Sequence, residues 1–216
     1  MDLIYCAGYN HRFAKIAIDN GFLYGAQLPS TVRYPLHMAD QDWKRPNRAA
    51  YMAALAKHRP QIATVLDLER DDQLGEVLSW AEEAAQYVQC VMLIPKVFGI
   101  IPRLPRRIGG ADVRLGYSVP TKFGGTELPV WEFAGWPVHL LGGAPHAQMR
   151  LTHYLDVVST DGNTAMKAAT RFCEYWTQRG WRGVGVDYDG HDKPYEAFRR
   201  SCENIMQAWK RVRVAE

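Results

Sequence analysis

Short apolar, β-branched runs alternate along this chain with longer segments whose apolar residues recur at helical spacing, and this alternation restricts the fold more than any other feature. A strand, a covering helix and a second strand close most readily as a parallel crossover, so a repeated series of them predicts a parallel sheet wrapped by helices. Residues 3–7 read as the first strand, followed by a helix over 11–20 that Gly21 closes. Residues 34–39 give a second strand, 47–58 a helix halted before Pro60, and 62–68 (IATVLDL) a third strand. A long helix capped by Asp71 or Asp72 runs through Tyr87 to a fourth strand at 90–95. Further strands are predicted at 113–119, 138–141 and 157–160, the last two separated by a helical segment over 146–154. Helices over 164–178 and 195–212 flank a short final strand at 184–186. The expected architecture is α/β: a compact (β/α)8 TIM-like barrel in one domain over residues 1–216, with some helices shortened because the chain is small for that fold. A doubly wound open sheet is the alternative.

Charge excludes little. Lys and Arg total 26 against 23 Asp and Glu, a formal net charge of +3, so any nucleic-acid face must be local. One candidate is the loop from Lys96 through Arg103, Arg106 and Arg107 to Arg114, stiffened by Pro102 and Pro105; a second is Arg199, Arg200, Lys210, Arg211 and Arg213. Cys6, Cys90, Cys173 and Cys202 form no CxxC pair, and no histidine stands at ligand spacing, so neither a disulfide framework, a metal nor a cofactor is expected. With no leader-like N-terminus and no stretch near the roughly 20 apolar residues of a membrane span, a cytoplasmic protein without a membrane partner is predicted.

In a (β/α) barrel the reacting groups stand at strand C-terminal ends. Here the predicted strands run into Asp40 and Asp42, into Asp67 and Glu69, into Tyr117 and Ser118, into Gly142 and Gly143, and into Asp161. Carboxylates ending three separate strands would meet at one mouth, which is the pattern of an active site. Asp161 and Asp42 also fit turn or capping chemistry, and Glu69 followed by Arg70 fits a surface ion pair. Asp67 follows an apolar run and would be half buried. Gly142 and Gly143 would let a backbone approach a flat or anionic ligand, or simply close a tight turn. His139, between apolar residues, reads as a hydrogen-bonded core histidine.

The ordered strand-end motifs resemble the tRNA-guanine transglycosylase superfamily, which includes phage and bacterial 7-deazaguanine DNA transglycosylases. Val65-Leu66-Asp67-Leu68-Glu69 resembles the family's Asp-Glu-Cys element, and Leu115-Gly116-Tyr117-Ser118-Val119-Pro120 its Gly-Gly-Leu-Ala-Val-Gly element. Leu140-Leu141-Gly142-Gly143 resembles Leu-Met-Gly-Val-Gly, and Ser159-Thr160-Asp161-Gly162-Asn163 stands where the nucleophile-bearing Phe-Asp-Cys follows. The family's early Asp-Ser-Gly-Gly-Phe-Gln element is absent, with only Asp40-Gln41-Asp42 at that stage, and so is the Cys-x-Cys-x2-Cys zinc element used in tRNA docking.

The resemblance implies cleavage of an N-glycosidic bond in nucleic acid, DNA rather than tRNA, on a flipped-out base, by excision or by exchange with a free base as co-substrate. It implies Asp161 as nucleophile, Asp40 or Asp42 as proton carrier and Asp67 on the base edge. Glu69, Gly116, Ser118, Gly142, Gly143 and Asn163 would line the pocket, and Leu141 and Tyr117 would sandwich the base. The basic loop would then track the phosphates. Two other classes remain: a phosphosugar-type barrel enzyme, for which Lys96 is the one strand-end lysine, and a non-enzymatic nucleic-acid-binding barrel.

Overall fold

The computed structural model describes residues 1–6, 10–122, 124–185 and 189–212. The chain begins with β1 (Asp2–Cys6), α1 (His11–Asp19), β2 (Leu23–Leu28), β3 (Met38–Gln41), α2 (Arg48–His58) and β4 (Ile62–Leu68). It continues through α3 (Leu74–Ala84), β5 (Cys90–Pro95), β6 (Arg107–Ile108), β7 (Ala111–Ser118), β8 (Val138–Leu141), α4 (Pro145–Leu151) and β9 (Val157–Asp161). Last come α5 (Thr164–Phe172), a hairpin of β10 (Glu174–Thr177) and β11 (Gly180–Gly183), and α6 (Lys193–Val212).

Among these described strands, eight pair in parallel in the order β5-β4-β3-β2-β1-β9-β8-β7, and β5 closes on β7. The result is a closed TIM-like barrel wrapped by helices, as the alternation predicts. Closure removes sheet edges, and tight strand packing inside leaves a narrow interior. Ile4, Met38, Ile62, Met92 and Ile94 fill one side of that interior as an apolar plug. Each such buried side chain contributes roughly 1.5–3 kcal/mol. The outward strand faces pack on the helices in the larger core, where Trp176, Tyr51 and Phe133 are fully enclosed.

Local chemistry sets several ends. Asn10 caps α1 by accepting from the Arg12 amide at 3.0 Å, and Gly21 beyond it takes φ 88°. Asn47 caps α2 in the same way through Ala50, and Arg59 ends it in the left-handed region just before Pro60. Neither Asp71 nor Asp72 caps α3, contrary to expectation. A single 3-10 turn precedes that helix, and Gln73 Oε1 accepts from the Glu69 and Arg70 amides instead.

Three elements differ from the sequence reading. The second barrel strand is β2, Leu23–Leu28, and the run 34–39 contributes only the start of β3. Gly25 obscures β2 as a strand, and the barrel needs it: a Cβ there would lie 2.6 Å from Cys6 Sγ. The helix expected over 164–178 stops at Phe172, where Cys173 turns left-handed (φ 53°) and the chain enters β10. Val184 lies just beyond β11 rather than in a strand of its own, and Val186 falls outside the described residues. The stretch after β5 is largely irregular, as read, and forms a crossover with no α-helix. It buries Ile100, Ile101 and Leu104 on its way to the opposite end of the barrel, where β6 pairs antiparallel with β7. Among the described residues no helix is long and apolar enough to cross a membrane.

Candidate active site at the barrel mouth

Three aspartates reach the mouth from separate strands, each by a different local device. Asp40 is the third residue of β3, two positions after the inward Met38, so pleating turns it inward too. Its Oδ1 accepts from the Thr64 hydroxyl at 3.0 Å, and Thr64 Oγ1 in turn accepts from the Gln41 amide at 2.8 Å. Burial and then the neighbouring Asp161 charge push the Asp40 carboxyl up, against the pull of Thr64 and the Gln41 amide, to about 7.

Asp67 stands three residues beyond the inward Thr64, which on a regular strand would aim it at the helices. A bulge changes this: β5 advances from Met92 to Ile94 while β4 advances from Thr64 to Asp67. The extra residue returns Asp67 to the inward phase. Lys96, the first residue after β5, brings its Nζ to 3.8 Å from Asp67 Oδ2 and donates to Ser118 Oγ at 2.6 Å. Burial raises the Asp67 carboxyl, Lys96 opposes it, and Glu69 adds to the rise.

Asp161 ends β9. Its Oδ1 accepts from the Gly142 amide at 2.8 Å, and His139 Nε2 lies 3.5 Å from the same oxygen. Burial alone would raise this carboxyl. Hydrogen bonding and charge from His139, the Gly142 amide and the Cys6 thiol outweigh it and hold the group below the ordinary carboxylate range. Cys6, at the end of β1 between the strands carrying Asp40 and Asp161, is correspondingly pushed well up by burial and the two carboxylates and stays a thiol. The site therefore pairs a carboxylate kept ionised with a carboxyl that titrates near neutrality, a division that suits acid-base work.

The structure separates residues that the sequence grouped together. Asp42 lies past β3, where its Oδ1 accepts from the Lys44 amide at 3.1 Å, so its side chain is engaged in the turn while Asp40 faces the mouth. Glu69 is exposed beyond the end of β4, and Arg70 pairs with Asp72 rather than with it. Tyr117 is a correction: it points out of the barrel into the helical core, its ring 5.1 Å from that of Phe133, and cannot sandwich a ligand with the inward Leu141. Gly116 is required by packing, since a Cβ would meet Ile94 and Leu141 at 2.9 Å. Gly142 and Gly143 take φ 66° and 83°, and the Gly142 amide is already committed to Asp161. Asn163 occupies the N-cap position of α5 without a side-chain capping bond, which also removes capping as the role of Asp161.

The basic loop is dispersed rather than clustered. Lys96 stands in the mouth, and Arg103 is ion-paired with Asp71. Arg106 covers the Trp136 ring at 3.6 Å and donates to the Gly135 carbonyl, while Arg107 pairs with Asp112 at 3.3 Å. Asp112 begins β7 and Ser118 ends it, so Arg107 lies about 20 Å from the mouth at strand rise. Arg114 is inside the barrel, donating to Ser159 Oγ at 2.7 Å. In the second cluster Arg199 and Arg200 are tied to Glu196, and Arg213 falls outside the described residues.

Cys6, Thr64 and Ser159 belong to the site or its support but were not singled out from sequence. Each is a small polar residue at an inward position of an apolar strand, a signal readable only once the strand's phase is known. His139 is a hydrogen-bonded core histidine as read, and it also touches the site. Among the described residues, no group of three or more His, Cys, Asp or Glu is placed to hold a metal ion.

No curated protein matches the chain. One family matches residues 17–210, a span that takes in β2 through β9 and all three mouth aspartates. The chain belongs to that family, described as a family of unknown function, DUF6610.

Proposed function

We propose that this protein cleaves the N-glycosidic bond of a nucleobase in DNA, acting on a base flipped out of the stack into the barrel mouth. The observation that carries the reading is the pairing of Asp161, kept ionised, with Asp40, which stays protonated up to about pH 7. Breaking the C1′–N bond sends its electron pair to the base nitrogen and leaves oxocarbenium-like charge on the sugar. Asp161 stabilises or traps C1′, and Asp40 gives its proton to the departing base. Water then attacks C1′, giving excision, or a second base does so, giving exchange; in either case Asp40 recovers a proton from the incoming nucleophile. Asp67, Lys96 and Ser118 present acceptor and donor groups to the base edge, and Leu141 forms an apolar floor.

The same geometry revises the expected backbone contacts. Trp43, two-thirds exposed, follows β3 at the mouth together with the exposed Lys44 and Arg45. This rim would offer a stacking face and two cations that follow Asp40 closely in the chain.

Lys96 favours a second reading, a small-molecule barrel enzyme that forms a Schiff base, because the strand-end lysine required by that chemistry stands in the mouth. The phosphate cradle required by a phosphosugar substrate is weaker, since Gly142 donates to Asp161. Incubation with normal and base-modified DNA, followed by mass analysis for released base and alkali-labile sites, tests the first reading. Release that Asp161→Asn abolishes with DNA binding retained is expected. Absence of both release and exchange, with borohydride trapping of a carbonyl substrate on Lys96, would transfer the assignment to the second.

A further inference from the structure

We infer that His139 is a positioning residue for Asp161, held with its Nε2–H toward the carboxylate by Ser159 and Arg114 acting through the barrel interior. Its mechanistic meaning rests on the nucleophile reading of Asp161, but the geometry does not.

The ring is fully buried on β8. Its Nδ1 lies 2.6 Å from Ser159 Oγ, and that oxygen accepts from Arg114 Nη1 at 2.7 Å. A guanidinium can only donate, so Arg114 fills a lone pair of Ser159 and leaves the hydroxyl proton free to point at His139. A neutral ring receiving that proton at Nδ1 carries its own on Nε2, and an imidazolium carries a proton there as well. Among the described residues this Nε2 has no other partner, and it lies 3.5 Å from Asp161 Oδ1. Gly142 also addresses Oδ1, so two donors from one side fix the rotation of the carboxylate.

The arrangement is costly unless used. Barrel interiors are ordinarily filled by branched apolar side chains, and here one side is, by Ile4, Met38, Ile62, Met92 and Ile94. The β7-β8-β9 side instead commits Arg114, His139 and Ser159 to a line ending at Asp161. Apolar residues of similar size would pack there without desolvating a guanidinium and an imidazole. The other groups acting on Asp161 are the Cys6 thiol, the Gly142 amide and the Asp40 carboxyl, and none depends on the His139 ring.

The test is a carboxyl carbon NMR titration of Asp161, its signal assigned by loss in Asp161→Asn, in wild type, His139→Leu, His139→Gln and Ser159→Ala, with folding checked by circular dichroism. His139→Leu should raise the Asp161 midpoint by about one unit or more. His139→Gln, whose amide nitrogen can reach the Nε2 position, should recover much of that shift. Ser159→Ala should move the midpoint in the same direction, because the ring is then free to reverse its tautomer. If His139→Leu does not fold, Ser159→Ala decides. An unchanged midpoint in the folded variants overturns the inference whether or not the protein acts on DNA. Where base release is measurable, His139→Leu should lower kcat with little change in KM, and His139→Gln should restore it.

Discussion

The carboxyls of Asp40 and Asp161 interact across the ends of β3 and β9 and titrate in opposite directions, Asp40 rising to about 7 while Asp161 falls below the ordinary carboxylate range. Their populations overlap productively, one protonated and the other ionised, only between those two values. Base release should therefore hold across the acidic range and decline as pH rises through about 7, when Asp40 loses its proton. Asp40→Asn should lower kcat by about 10²–10⁴-fold and remove this alkaline limb. A pH–rate profile of kcat for the two proteins checks both statements.

Stability should follow the same group with the opposite benefit. The folded Asp40 binds its proton more tightly than the unfolded one, so stability falls as pH rises from the unfolded value near 4 through about 7. Each unit of separation is worth about 1.4 kcal/mol. Asp40→Asn has no such penalty and should gain on the wild type between pH 5 and pH 8 in urea denaturation. Equal pH dependence for both proteins would mean that Asp40 is not perturbed.

The barrel was legible because its evidence is repetitive. The strands at 62–68 and 90–95 and the helix beginning near Lys193 show strong local patterns, and Pro60 marks the end of α2. β2 was not legible, because Gly25, required by the close approach of Cys6, interrupts its β-rich pattern. The three mouth aspartates could be found as polar ends of apolar runs, yet side-chain direction could not be read through an irregularity. The bulge before Asp67 has no sequence signature, and Tyr117 and Ser118 differ in role only through strand phase. The arginines from Arg103 to Arg114 look like one patch in sequence, whereas the crossover carries them along the whole height of the barrel.

Asp67→Ala should weaken base selectivity and binding together, because it removes the carboxylate and releases Lys96 from its partner at 3.8 Å. Lys96→Met should retain the fold but leave Asp67 buried without its cation, weakening base discrimination more than DNA affinity. Competition between modified and unmodified oligonucleotides measures both. Unchanged base preference in the two variants would remove this pair from the pocket.

Gly116→Ala should destabilise the protein by about 1–3 kcal/mol through overpacking. The added Cβ would press on Ile94 and Leu141, each 2.9 Å away, and on the Met92 sulfur at 3.2 Å. These atoms belong to the plug or floor beneath the mouth, so activity should fall with stability. Tyr117→Phe, by contrast, should leave base choice untouched, since that ring packs on Phe133 outside the barrel. Thermal melting and base-release assays on the two variants separate packing from binding.

The salt dependence of DNA binding should distinguish the rim from the basic crossover. Removing one cation that neutralises a phosphate should flatten the slope of log affinity against log salt by about 0.9 units for duplex or 0.7 for single strands. Lys44 and Arg45 lie exposed next to the strand that carries Asp40, so neutralising both should flatten the slope and weaken binding to all sequences alike. Neutralising Arg103, Arg106 and Arg107 should leave the slope nearly unchanged, because Arg103 is held by Asp71, Arg106 by Trp136 and Gly135, and Arg107 by Asp112 at the far end of the barrel. That triple variant should instead lose some stability, as Arg106 gives up its stacking on a buried tryptophan. The reverse outcome, a flattened slope only in the triple variant, would mean that the strand runs down the side of the barrel and that the rim is ordinary solvated surface.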